Sequence, residues 1–271
     1  MMYLEKLRAA QEMNDSWLCV GLDPDPDRLR VDALKWDEPI LPFNKAIIDQ
    51  TADLVCAYKP NLGFYLQWGA AGVIALERTI AYIPDRIPVI LDCKTGDIGH
   101  TQAAWANGLF DSWGVDAITV NPYVGEEAIV PMIGARPDKA VYILARTSNP
   151  SATQLQGDLI NGHGLSAEVL RQSQGWKTEG HKGYVVGATY PEELEVARKL
   201  APKANFLIPG IGAQGGNLAA AVGYGKDAVA GPVISASRSV IFASMEGDFG
   251  TAARNAAGRL RERINRMRDE I

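Results

Sequence analysis

Cysteine, net positive charge and long apolar runs are all scarce in this sequence. Its three cysteines, Cys19, Cys56 and Cys93, lie inside separate apolar runs without the spacing of metal ligands. We therefore expect reduced, buried thiols, with neither a disulfide framework nor a bound metal. The net charge of −5 and the pI near 5.3 argue against the basic stripe that nucleic-acid binding needs.

Membrane and export signals are missing as well. No apolar run approaches the roughly 18 residues from which a membrane span is predicted. Residues 1–16 lack the apolar core of a signal peptide, because charged side chains interrupt them at Glu5, Lys6, Arg8, Glu12 and Asp15. We expect a cytoplasmic protein that binds neither membrane nor nucleic acid, and its 47% hydrophobic residues suffice for a sizeable core.

Short apolar runs alternate with helical patterns along the whole chain. The predicted strands are residues 17–22, 54–59, 88–93, 117–120, 141–144, 183–186, 206–208 and 227–230. The predicted helices are residues 41–53, 69–83, 101–113, 126–135, 165–173, 191–200, 216–222 and 250–269. Eight such units predict an α/β fold, a (β/α)8 TIM barrel, with residues 1–271 as a single domain. A doubly wound open sheet is the alternative.

The segment 89–101 is the most informative part of the chain. An apolar run leads directly into Asp92, Lys94 and Asp97. On a regular strand, Asp92 and Lys94 project from the same face and Cys93 from the other. Two carboxylates around one ammonium are costly to desolvate, which favours a chemical role. A purely structural salt-bridge cluster is the alternative.

Polar side chains also follow the other predicted strands, and in a barrel all such strand ends meet at the active-site face. The candidates are Asp23, Lys59, Ser148, Gln214, Ser237 and Arg238. The glycine-rich segment 209–216 and the pair Ser237-Arg238 follow the last two strands. Glycine amides and an arginine at this place predict a phosphate site. The histidines His100, His163 and His181 are predicted to lie in loops or at the surface.

Six segments together resemble the orotidine 5′-monophosphate decarboxylase family, and especially its longer bacterial group. They are residues 20–23 (Val-Gly-Leu-Asp), 58–61 (Tyr-Lys-Pro-Asn), 91–98 (Leu-Asp-Cys-Lys-Thr-Gly-Asp-Ile), 147–150 (Thr-Ser-Asn-Pro), 209–216 (Pro-Gly-Ile-Gly-Ala-Gln-Gly-Gly) and 237–238 (Ser-Arg). Thr95 stands where the family more often has arginine, and His100 where a small polar residue is usual. Neither replaces a catalytic group.

The resemblance implies decarboxylation of orotidine 5′-monophosphate to uridine 5′-monophosphate, the last step of de novo pyrimidine nucleotide synthesis, without a metal or organic cofactor. It implies a charged network of Lys59, Asp92, Lys94 and Asp97, in which Lys94 donates the proton. Asp97 would come from the second subunit of a homodimer.

Substrate binding is assigned by the same resemblance. Asp23 and Lys59 would bind ribose hydroxyls, joined by Asp97 and Thr101 of the second subunit. Ser148 would contact the pyrimidine, and the 5′-phosphate would be held by Gln214 and Arg238 next to Ser237.

Three other interpretations remain open from the residues. A metal-dependent sugar-phosphate decarboxylase or aldolase of the same superfamily would carry a similar pattern. Lys94 as a Schiff-base nucleophile would require a less acidic neighbourhood. A catalytically silent phosphate-binding scaffold is the third, and retention of the four charged positions argues against it.

Overall fold

The computed structural model describes residues 1–29, 38–157, 159–160, 163–212, 215–226, 229–244 and 248–270. Eight parallel strands form its centre. They are β1 (Leu18–Leu22), β2 (Ala57–Pro60), β3 (Ile90–Thr95), β4 (Ala117–Val120), β5 (Ala140–Arg146), β6 (His181–Val186), β7 (Phe206–Ile208) and β8 (Val233–Ala236). A short antiparallel pair, Leu159–Ile160 and His163–Gly164, lies between β5 and β6 in the sequence.

The eight strands close on themselves. Their hydrogen-bonded order is β2-β1-β8-β7-β6-β5-β4-β3. The two ends of this order, β2 and β3, meet through parallel bridges from Tyr58 to Val89 and from Asn61 to Asp92. The prediction of a (β/α)8 TIM barrel is therefore confirmed. Strands covered on both faces are continuously apolar, as the sequence of β1 and β4 indicates.

Helices surround the barrel. They are α1 (Tyr3–Met13), α2 (Ile40–Thr51), α3 (Leu62–Leu66), α4 (Gly69–Tyr82), α5 (Gly99–Ala106), α6 (Val130–Ile133), α7 (Thr153–Gln156), α8 (Leu165–Gln174), α9 (Pro191–Leu200), α10 (Leu218–Gly225), α11 (Arg238–Ile241) and α12 (Phe249–Asp269). A π-helical segment, Asn107–Ser112, continues α5. Among the described residues, no helix combines the length and apolarity needed to cross a bilayer.

The core has two layers, as strand alternation requires. The side chains on the outer face of each strand pack against the helices in a large outer cluster. The other set fills the barrel interior with residues such as Cys19, Ala57 and Leu207. Tyr3 and Leu7 of α1 belong to this inner cluster. Helix α1 therefore closes the end of the barrel at which the strands begin. The end at which the strands finish is not covered by α1, and this is where a functional site can form.

The predicted eighth strand, residues 227–230, is wrong. Residues 227–228 lie outside the described part of the chain, and the strand is Val233–Ala236. The side chain of Gln11 binds both the N–H and the C=O of Gly231, so these backbone groups serve helix α1 instead of a sheet. Pro232 has no N–H for a strand ladder, which delays pairing to Val233.

Candidate active site

A cavity of about 490 Å³ opens where the strands end. Residues from the ends of all eight strands or from the segments that follow them line it: Asp23, Lys59, Asn61, Phe64, Asp92, Lys94, Thr119, Leu144, Thr147, Ser148, Asn149, Val185, Leu207, Pro209, Gly210, Ile211, Ser235, Ser237, Arg238 and Ser239. Apolar side chains form much of the wall, and the acidic residues and lysines gather on the side of β1, β2 and β3, while Arg238 follows β8. This is the face at which barrels of this kind hold their active sites.

Asp92 is the centre of the charged side. Its Oδ2 accepts from Lys59 Nζ at 3.1 Å and from Asn61 Nδ2 at 3.4 Å. Its Oδ1 accepts from Lys94 Nζ at 2.6 Å and from Thr119 Oγ1 at 2.8 Å. Two cations and two neutral donors thus hold one carboxylate, which fixes both lysines relative to each other.

Asp92 and Lys94 meet through a bulge and not through regular alternation. Leu91 pairs with Ile118 and Thr95 with Val120, so three residues of β3 stand opposite the single residue Thr119 of β4. Lys94 has φ +47°, a left-handed conformation that is uncommon for a residue with a side chain. The predicted proximity is present, but the regular strand from which it was predicted ends at Leu91.

Burial and charge work against each other in this cluster. Burial would raise the pKa of the Asp92 carboxyl, but Lys59 and Lys94 hold it well below its ordinary value. Burial would lower the pKa of the Lys59 ammonium, but Asp92 and Asp23 keep it above its ordinary value. Both groups are therefore ionised at neutral pH, and the cavity presents fixed charges to whatever enters it.

Asp23, a cavity-lining residue, carries a buried oxygen atom, Oδ1, without a hydrogen-bond partner among the described residues. Burial raises the pKa of Asp23, and the charge of Lys59 and a hydrogen bond with Ser237 oppose that effect. Since buried polar atoms are nearly always hydrogen-bonded, an unpartnered one on a cavity wall indicates a polar ligand.

The loops after β7 and β8 form the other side of the cavity. Gly210 and Gly212 have φ of +99° and +94°, which only glycine adopts without strain, and this turns the backbone toward the cavity. Arg238 and Ser148 line the cavity from β8 and β5. Gln214, predicted as a phosphate ligand, lies outside the described residues.

Asp97 and Thr101 do not line this cavity. The Asp97 carboxylate accepts from the N–H of Ile98 at 2.9 Å, and the Asp97 N–H donates to Gln102 at 3.2 Å. Both predicted site residues therefore sit at the rim, on the segment that starts α5.

Most of the other cavity residues received no role from the sequence, among them three on the side of β2 and β4. Asn61 and Phe64 follow β2, and Thr119 lies within β4. Thr119 shares strand parity with the interior residue Ala117, which was a usable signal, but no motif marks it. Across the described residues, no three His, Cys, Asp or Glu side chains are grouped so that they could hold a metal ion.

Comparisons with known proteins agree with each other. The model of the "Orotidine 5'-phosphate decarboxylase / HUMPS family" matches residues 16–248. Orotidine 5'-phosphate decarboxylase of Thermomicrobium roseum is 46% identical over 275 residues, covering 100% of this chain and 98% of the relative. The enzyme of the same name from Herpetosiphon aurantiacus is 45% identical over 258 residues, covering 94% and 95%. The structure of Leishmania donovani OMP decarboxylase superposes with TM-score 0.85 at 36% identity, covering 99% of each chain.

Proposed function

The chain belongs to the orotidine 5′-phosphate decarboxylase / HUMPS family, and on this premise we propose that it converts orotidine 5′-monophosphate to uridine 5′-monophosphate and carbon dioxide. This is a carbon–carbon lyase reaction and the last step of de novo pyrimidine synthesis. The observation that carries the proposal is the Lys59–Asp92–Lys94 cluster on the wall of a cavity at the strand ends.

Lys94 is the proton donor in this proposal. When the bond between C6 and the carboxylate breaks, its electron pair stays on C6 and carbon dioxide leaves. The Lys94 ammonium stabilises that negative charge and then transfers a proton to C6. An ammonium already fixed at 2.6 Å from Asp92 needs little reorganisation during the reaction, which is the source of electrostatic catalysis.

Asp92 has two roles in the proposed reaction. Its carboxylate keeps both lysines charged and in place. It also lies where the substrate carboxylate would bind, and the repulsion between the two anions disfavours the bound ground state. Binding energy from the distant phosphate would offset that cost.

The remaining cavity residues would bind the nucleotide. Asp23 Oδ1, buried and unpartnered, suits a ribose hydroxyl, and Lys59 lies beside it. Arg238 and Ser237, opposite the turned backbone of Gly210, suit the 5′-phosphate, and Gln214 is proposed to join them. Ser148 would hydrogen-bond the pyrimidine ring.

We further propose a homodimer with shared sites, acting in the cytoplasm, in which Asp97 and Thr101 complete the pocket of the partner subunit. The rim around them exposes apolar side chains: Ile98 is 49% exposed, Trp105 38%, and Tyr123 85%. Helix α5 packs against the turn Gly125–Ala128, which brings the segments carrying these side chains together, and we propose this region as the contact with a second copy.

We propose that residues 1–271 form one decarboxylase domain. The family match covers residues 16–248, and the two helices beyond it belong to the same fold. Helix α1 contributes Tyr3 and Leu7 to the inner core, and α12 contributes Leu260 and Ile264 to the outer one.

The test is an absorbance assay with orotidine 5′-monophosphate, with and without a chelator. We expect the parent to form uridine 5′-monophosphate equally well in both. Lys94→Ala should lose at least about a thousandfold in kcat, because it removes both the charge and the proton. Lys203→Ala, at an exposed lysine far from the cavity, is the matched control and should be unaffected. Chelator-sensitive turnover of a sugar phosphate instead would favour the metal-dependent relatives.

A further inference from the structure

We propose that Thr119 is a positioning residue of the reaction, whose hydroxyl sets the geometry between Asp92 and the proton donor Lys94. The proposal rests on the proposed function, since it concerns how the same cluster is held. Thr119 lines the cavity but is 1% exposed, so it lies behind the charged groups and not in front of them.

The Thr119 hydroxyl makes two directional contacts. It donates to Asp92 Oδ1 at 2.8 Å and accepts from the backbone N–H of Lys94 at 3.0 Å. A hydroxyl has one proton to donate and lone pairs to accept, so both contacts are satisfied together. The same oxygen of Asp92 accepts from Lys94 Nζ. The Thr119 hydroxyl therefore binds both the backbone of Lys94 and Asp92, the carboxylate that holds the Lys94 ammonium.

The bulge in β3 gives Thr119 this position. Thr119 stands alone opposite the three residues that follow Leu91. Besides its two hydroxyl contacts, its carbonyl oxygen accepts from Cys93 Sγ at 3.6 Å. Every residue of the bulge is thus bound to Thr119, and its side chain and carbonyl replace contacts that a regular ladder would have made.

Lys94 needs such support because of its backbone. A left-handed φ of +47° is unfavourable for a residue with a side chain and persists only where its surroundings enforce it. Without the hydroxyl, the Lys94 N–H loses its partner and Asp92 Oδ1 loses a donor. The Lys94 ammonium is then no longer held beside the reacting carbon, while the rest of the cavity is unchanged.

Thr119→Val and Thr119→Ser separate this role from packing. Valine keeps the shape and removes the hydroxyl, and serine keeps the hydroxyl. We expect valine to lower kcat about tenfold or more, with KM and the affinity for uridine 5′-monophosphate within about threefold, because the loss affects the transition state. Serine should retain kcat within about threefold. Thr79→Val, at a buried hydrogen-bonded threonine of α4, should leave kcat unchanged.

Each result decides the proposal. Unchanged kcat in Thr119→Val would overturn it, and so would equal losses in the valine and serine variants, which would indicate packing. If Thr119→Val does not fold, Thr119→Ala takes its place, since it also lacks the hydroxyl and adds no methyl group. A parent enzyme that does not turn over orotidine 5′-monophosphate would instead refute the proposed function.

Discussion

The carboxylate of Asp92 divides its four donors evenly between its two oxygens, with one lysine and one neutral group on each. Taking the charges of Asp92 and Lys59 out of water costs free energy, and such a pair gains little stability over apolar packing, while the half-exposed Lys94 side chain adds little more. Removal of either buried partner would leave the other charge buried with less compensation. The cluster is therefore better explained by the chemistry of the cavity than by the stability of the barrel.

His181 lies in a strand and not in a loop. It was predicted to lie in a loop or at the surface, but it opens strand β6. Its ring stacks on Tyr3 with 6.3 Å between centroids, and its Nε2 is buried without a partner. The histidine lies at the amino-terminal end of the barrel, next to helix α1, whose position no local pattern around residue 181 reveals.

Burial of His181 makes stability depend on pH. Burial, with a smaller effect of Lys182, lowers its pKa to about 4, against about 6.5 in an unfolded chain. Between these values the unfolded chain binds a proton that the folded chain does not, so stability falls as pH falls. We expect the parent to lose about 1–2 kcal/mol from pH 7 to pH 5 through this residue, and His181→Phe to be spared that loss in urea unfolding.

His163→Phe is the matched control for this experiment, because His163 is exposed. Its pH dependence should follow that of the parent. If the free energy of unfolding of the parent and of His181→Phe changed with pH in parallel, His181 would bind its proton equally in the folded and unfolded states, contrary to this prediction.

Among the elements, the sequence predicts regular structure better than its interruptions. Strands β4 and β7 have the predicted bounds, and helix α9 begins at Pro191 as its proline and acidic first turn indicate. The bulge at Lys94 was not predictable, since it depends on how β3 pairs with β4. The same holds for Thr119, which acquires its position from that pairing. Five-residue helix α3 was missed because it is too short for a periodic pattern.

Gly72 fixes the distance between α3 and α4. A Cβ atom at this position would lie 1.9 Å from the carbonyl oxygen of Tyr65. The hydroxyl of Tyr65 in turn donates to the carbonyl of Leu22 at the end of β1. We expect Gly72→Ala to destabilise the protein by about 1–3 kcal/mol, because the helices must separate. Urea unfolding of the variant and the parent measures this.

Gly223→Ala is the control, since Gly223 lies in helix α10 with no atom within 4 Å of the added Cβ. Alanine there should stabilise the protein by up to about 1 kcal/mol. Equal effects of the two substitutions would mean that helix propensity, and not the contact with Tyr65, decides the result at Gly72.

For the whole molecule, the shared site predicts complementation between two inactive variants. Lys94→Ala and Asp97→Ala homodimers should each be nearly inactive. Mixed and reassembled at equal amounts, half of the dimers are hybrids, and one of the two sites in each hybrid receives both lesions. The other site is intact, so about a quarter of all sites should recover activity.

The assay after dissociation and reassembly measures this recovery, with each variant reassembled alone as its control. Absence of recovery in hybrids that have been shown to form would place Asp97 in the site of its own subunit. Within its own chain, Asp97 hydrogen-bonds Ile98 and Gln102 and does not line the cavity.

Helix α1 determines from which end small molecules can reach the cavity of the barrel. The hydroxyl of Tyr3 meets that of Tyr142 at 2.8 Å inside the barrel, and Lys6 holds Asp116 at 2.7 Å. Because α1 closes the amino-terminal end of the barrel, the described part of the chain encloses a cavity with one opening and not a channel through the barrel. Carbon dioxide, the product nucleotide and the next substrate must all pass through the same opening. The product must therefore leave before the next substrate can bind, and the longer the product stays bound, the more it blocks substrate entry.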